Sequence, residues 1–156
     1  MKSKITELDR EYNKCVADGF IIPKYDLDKD LIASLLSRAE TGLERLHMTG
    51  DAFEKQSKDY SFMLRDNYEI LRMLIDAYLL FDKVNIGNHL CSNAYLCTKH
   101  PEFEFDWEIL ETMRILRNEV NYRGKKVTSE QWNSLSLPFK IYIQSLQEII
   151  KEKLRE

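Results

Sequence analysis

Arg114, Arg117, Asn118, Tyr122, Arg123, Lys125 and Lys126 crowd into the stretch 114–126 with one acid, Glu119, although the whole chain has a formal net charge of −3. The positive charge is therefore local. Guanidinium groups grip phosphate oxygens through paired N–H donors, and ammonium groups add point charge. An amide adds a donor and an acceptor, and a phenol adds a hydroxyl and a flat ring for stacking. The chemistry these types can do together is phosphate handling. Proton transfer is harder to supply, because an ordinary Tyr titrates near ~10 and is a poor base at neutral pH.

A helix must hold these groups. Ile109, Met113, Leu116 and Val120 fall on one stripe at helical spacing, a core face, and Leu110, Arg114, Arg117 and Asn121 fall on the stripe beside it. This predicts a helix over 107–123 stopped by Gly124, with two arginines flanking a buried face and in need of partners. Partners are available in the segment from Ser57 to Val84, which is apolar on more than one face and reads as the most enclosed helix. On it Arg65, Glu69, Arg72 and Asp76 recur at spacings of four, three and four. Either they form a solvated edge of intrahelical pairs, or Glu69 or Asp76 pairs with Arg114 or Arg117 across an interface, where an unpaired charge is costly. Both remain open, as does a purely bracing role for Arg117 and Asn118. Arg123, Lys125 and Lys126 also suit a helix C-terminus, where cations offset the dipole.

The rest of the chain is helical in pattern. Five Gly and three Pro in 156 residues, with 44% hydrophobic content, favour helices over a many-turned β architecture. Ile5, Leu8, Tyr12, Cys15 and Val16 mark a short helix over 3–18 ending at Gly19, and Leu27 to Leu46 mark a long one over 27–48 ending near Gly50. Asn88 can cap a short helix that runs through Cys97 and ends before Pro101. Thr128 and Gln131 have capping-box spacing for a last helix with a seam of Trp132, Leu135, Phe139, Tyr142, Leu146 and Ile149. Pro138 within that seam predicts a kink or a restart near Ser136. The expected fold is all-α: an up-and-down bundle of four to five core helices in 25–156, preceded by a short N-terminal helix and linker in 1–24.

Cys15, Cys91 and Cys97 are odd in number and MKSKITELDREY carries no apolar signal region, so free thiols in a reducing cytoplasm are expected. The longest near-apolar run, Met73 to Phe81, is too short to cross a bilayer, and no membrane partner is expected. His89, Cys91, Cys97 and His100 lie close in sequence but without the short Cys pair of structural zinc sites, so no metal is expected. His47, His89 and His100 join no serine or cysteine constellation, and the glycines form no phosphate or dinucleotide loop.

The segment RNEVNYRG resembles the signature of the HEPN superfamily, all-helical domains in which an Arg-Asn pair is followed after a short spacer by a His near the end of a core helix. SLLSRAETGLERL resembles that family's first long helix, and YEILRMLIDAYLLFDKVNIGNHLCSNAYL its second and the following segment. The resemblance covers about residues 25–150. It implies either a metal-independent endoribonuclease or a non-catalytic RNA- or nucleotide-binding module, without a cofactor. It also implies a homodimer and a toxin–antitoxin setting beside a nucleotidyltransferase partner. In catalytic members Arg would hold the scissile phosphate and His would handle the attacking 2′-hydroxyl. Arg117 takes the first position and Tyr122 stands at the second, so both are the candidate catalytic residues and binding with lost or weak cleavage is expected. A tyrosine that some members carry two residues further on, as a site of adenylylation, is Gly124 here. His89 could replace the missing imidazole if the fold brings it close. The alternatives are a non-enzymatic, antitoxin-type partner of another protein using the last helical seam, and an active endoribonuclease.

Overall fold

The chain is an all-α helical bundle in this computed structural model, which describes residues 6–156. Seven helices stand in order among the described residues: α1 (Glu7–Ala17), α2 (Lys29–Thr49), α3 (Ala52–Ser57), α4 (Ser61–Leu80), α5 (His89–Lys99), α6 (Trp107–Arg123) and α7 (Ser129–Leu154). The helix starts follow side-chain chemistry. Thr6, Asp28, Asn88, Asp106 and Thr128 each accept a backbone N–H that the first turn leaves without a partner, and Thr6 with Asp9 and Thr128 with Gln131 close full capping boxes. The predicted residues 3–5 of the first helix, Ile5 included, lie outside the described residues.

Helix α4 is the axis of the bundle, packed by α2, α5, α6 and α7. Leu64, Leu71, Leu74 and Ala77 on it are wholly buried, as are Ile32, Leu96, Leu110, Met113 and Leu146 from the helices around it. Enclosure on several sides is what its all-round apolar pattern requires. It starts later than the sequence pattern suggests, because Lys58 takes a left-handed conformation that ends α3, and Asp59 accepts the Ser61 backbone N–H.

Four expectations need correction. First, two strands, β1 (Ile21–Pro23) and β2 (Val84–Ile86), pair antiparallel with Ile21 opposite Ile86. Three residues each are too few for alternation to register in the sequence. Second, of the kink or restart expected at Pro138, the restart does not occur: α7 is one continuous helix with Pro138 inside it. Packing of Leu135, Phe139, Tyr142 and Ile143 on both sides of Pro138 holds the helix through the lost backbone bond. Third, the buried face of α6 is centred on Leu110 and Met113, with Ile109, Leu116 and Val120 only half-buried. The core stripe is therefore rotated toward the arginines. Fourth, Cys15 and Cys91 are not free: they form a disulfide that joins α1 to α5, each 2% exposed. Cys97 alone remains a thiol. Burial pushes that thiol up to about 12.

Candidate phosphate-binding site

Helix α6 carries the candidate residues and its C-terminus is fixed by two devices. Gly124 adopts φ 61, the left-handed stop that a side chain disfavours, with its N–H bonded to Glu119 O. Beyond it, Val127 is buried and its N–H donates to Ser61 Oγ at 3.0 Å, while Tyr60 N–H donates to Val127 O at 3.0 Å. Ser61 Oγ in turn donates to Asp59, whose carboxyl this bond holds below the usual range. The loop bearing Lys125 and Lys126 is thereby tied to the start of α4.

Arg117 points at α4. Its Nε and Nη2 donate to one oxygen, Glu69 Oε1, at 2.8 and 2.6 Å, and its Nη1 donates to Asn118 Oδ1 at 3.2 Å. Its side chain is 15% exposed and that of Glu69 40%. The guanidinium also lies 5.8 Å from the centre of the Tyr68 ring. Of the two arrangements left open by the charge stripe, the interhelical one holds for Glu69 and Arg117. The intrahelical one holds for Arg72, whose Nε reaches Asp76 Oδ2 at 3.4 Å. Arg65 turns to its neighbour Asp66.

Arg114 finds its partner on its own helix. Its Nε and Nη2 grip both oxygens of Glu111 at 2.9–3.1 Å, and this bonding raises its pKa further. Glu111 Oε2 also accepts from Asn93 Nδ2 of α5 at 3.2 Å. Between the two arginines lies Tyr68, pushed up to about 12 by burial in spite of nearby Arg72, Arg114 and Arg117. Its hydroxyl meets His89 Nδ1 at 3.1 Å, and the two rings stack with centres 5.8 Å apart. The fold thus brings His89 to the ring over which Arg117 sits.

The seven cationic, amide and phenol candidates consequently divide. Arg114, Arg117 and Asn118 are half-buried in a polar seam between α4, α5 and α6. Tyr122, Arg123, Lys125 and Lys126 are exposed around the end of α6, Tyr122 at 77%. Lys125 makes a loose pair with Glu119 at 3.6 Å. Tyr68, Asn93 and Glu111 belong to the seam and were not singled out from sequence. Glu111 had a signal, its spacing of three from Arg114. Tyr68 had none, since a Tyr in an apolar helix reads as core.

The His/Cys run separates into unrelated roles. Cys91 is bridged, Cys97 sits 3.6 Å from Phe105 O, and His100 is held by Asp82 at 2.6 Å and Glu102 at 3.0 Å. Among the described residues no group of three or more His, Cys, Asp or Glu is arranged to hold a metal ion. None of their helices is long and apolar enough to cross a membrane.

Compared with known proteins, the chain matches no family model, no curated protein and no solved structure.

Proposed function

We propose that this chain is a HEPN-like module that binds RNA or nucleotide phosphate, with endoribonuclease activity lost or weak. The observation that supports it best is the Arg117–Asn118 pair, pre-oriented by Glu69 and Tyr68 one turn before the exposed collar of Tyr122, Arg123, Lys125 and Lys126. A phosphate arriving at the collar meets four exposed groups able to donate hydrogen bonds or stack. It can reach Arg117 by competing with Glu69, whose second oxygen makes no bond to the arginine. The same proposal takes the protein as a homodimer, in a toxin–antitoxin pair beside a nucleotidyltransferase. It also takes the setting as cytoplasmic, and the Cys15–Cys91 bridge, of a kind rare in reducing compartments, weighs against that last element.

The test is fluorescence anisotropy with a labelled single-stranded RNA across a salt series. Binding should fall steeply with salt, and Arg117→Ala and Arg123→Ala should each weaken it. No binding at low salt would remove the proposal. Cleavage in the presence of a chelator, abolished by Arg117→Ala in folded protein, would instead favour an active metal-independent endoribonuclease.

A second reading, an interaction partner of another protein, is favoured by one observation. The apolar seam of α7 is consumed inside the bundle, but Leu137 and Ile141, four residues apart, are 61% and 49% exposed on its outer side. Co-purification of a second polypeptide that Leu137→Glu releases would support this reading over RNA binding.

A further inference from the structure

A cavity of about 350 Å³ opens between the β1–β2 ribbon, the first half of α2 and the second half of α4. This is within the range of small-ligand pockets, roughly 300–1,000 Å³. Its apolar wall is wholly aliphatic: Leu31, Leu35, Leu79, Leu80, Val84 and Ile86. Leu31 is 39% exposed there, an apolar side chain left uncovered at the opening. The polar wall carries Lys24, Arg72 and Asp76, two positive charges and one negative.

Arg72 is under-used. A guanidinium has five N–H donors in a planar fork. Here the only carboxylate it meets is that of Asp76, through Nε at 3.4 Å, and Nη1 is buried without a hydrogen-bond partner among the described residues. A carboxylate bound in the cavity would give this guanidinium the second charged partner that Asp76, reached only through Nε, does not supply. Asp76 is also poorly served: burial raises its pKa against the pull of Arg72. An ammonium group would restore its charge balance. The absence of any aromatic side chain from the lining disfavours a nucleobase, which needs a stacking surface.

We propose that this cavity binds a small aliphatic α-amino acid. Arg72, aided by Lys24, meets its carboxylate, Asp76 meets its ammonium, and the leucine wall takes a branched side chain such as that of leucine, isoleucine or valine. The proposal does not depend on RNA binding.

The experiment is a ¹H–¹⁵N NMR titration of the full chain with L-leucine, alongside isovalerate, which keeps the carboxylate alone, and isoamylamine, which keeps the amine alone. L-leucine should give saturable shifts centred on Arg72, Val84, Asn85 and Ile86. Each half-ligand should bind about tenfold or more weakly, as expected when one of two charged contacts is missing. Arg72→Met should abolish the L-leucine response, and Asp76→Asn should weaken leucine without weakening isovalerate. Lys24→Gln and Leu31→Trp, both at the exposed rim, keep the test decisive if a core-side variant fails to fold, since each should reduce leucine affinity at least about threefold. Shifts that do not saturate, that centre elsewhere, or that isovalerate reproduces at equal affinity would overturn the proposal.

Discussion

Arg117 and Glu69, 48 residues apart in the chain, meet with Nη2 and Oε1 2.6 Å apart, and through them α6 is keyed to the central helix. The pair makes Glu69 both the support and the competitor of Arg117. It orients the guanidinium against α4, yet any phosphate must share or displace the carboxylate. A bracing arginine and a phosphate-binding arginine therefore respond oppositely when the acid is neutralised.

Replacing Glu69 by Gln separates these roles. Stability should fall by about 1 kcal/mol, because the pair is partly exposed and one charged hydrogen-bond network is weakened. RNA or inorganic phosphate affinity should rise several-fold if Arg117 binds anions. Urea denaturation measures the first effect and anisotropy or calorimetric titration the second. Lower stability with unchanged anion affinity would leave Arg117 as a brace only.

What was legible in the sequence is uneven for physical reasons. The helix ends at Asn88, Gly124 and Thr128 follow local hydrogen-bonding chemistry that a few adjacent residues carry. The Glu69–Arg117 pair was one of two open arrangements, because helical spacing gives a shared stripe but not which way neighbouring helices face. The β1–β2 ribbon rests on a long-range pairing of three-residue segments, and the Cys15–Cys91 bond on the docking of α1 against α5. Neither leaves a local pattern. Tyr68, the hub between His89 and Arg117, reads as an ordinary core aromatic until three helices are placed around it.

The disulfide should contribute measurably to stability. It closes a loop between cysteines 76 residues apart. Cross-links of that kind stabilise by about 2–4 kcal/mol, mainly by restricting the unfolded chain. Cys15→Ser, Cys91→Ser and reduction with dithiothreitol should each lower the urea midpoint by a similar amount, and dithiothreitol should not affect either variant further. Alkylation offers a second check: unreduced, denatured protein should take one label, at Cys97. Three labels without reductant would mean the bridge is absent.

Alkaline pH should unfold the protein through its buried phenols. Burial holds Tyr68 and Tyr78 at about 12, and it also raises Tyr95 and Tyr142. An unfolded Tyr gives up its proton near ~10, so from there upward the folded state holds protons that the unfolded state releases. Stability should be flat below pH 10 with respect to these groups and should fall between pH 10 and about 12. Each shifted phenol adds a slope of at most about 1.4 kcal/mol per pH unit in that window. Chemical denaturation at a series of pH values, with tyrosinate absorbance followed in parallel, should show the two transitions together. Tyr68→Phe should make the decline shallower, and an unchanged slope would exclude Tyr68 as a contributor.

Gly42 tests how closely α2 and α4 pack. A Cβ at this position would lie 3.0 Å from Ile70 Cγ1 and 3.1 Å from Ile70 Cδ1, and Ile70 is 3% exposed with little room to move. In a free helix, exchanging Gly for Ala would stabilise by about 1 kcal/mol. Here overpacking of about 1–3 kcal/mol opposes it, so Gly42→Ala should be destabilising on balance. The sign should reverse in an Ile70→Ala background, where the obstructing atoms are gone and the helix propensity of alanine is all that remains. Thermal or urea unfolding of the four proteins in that cycle measures the coupling directly. If Gly42→Ala stabilises the otherwise unaltered chain, α2 and α4 are not in close contact at Ile70.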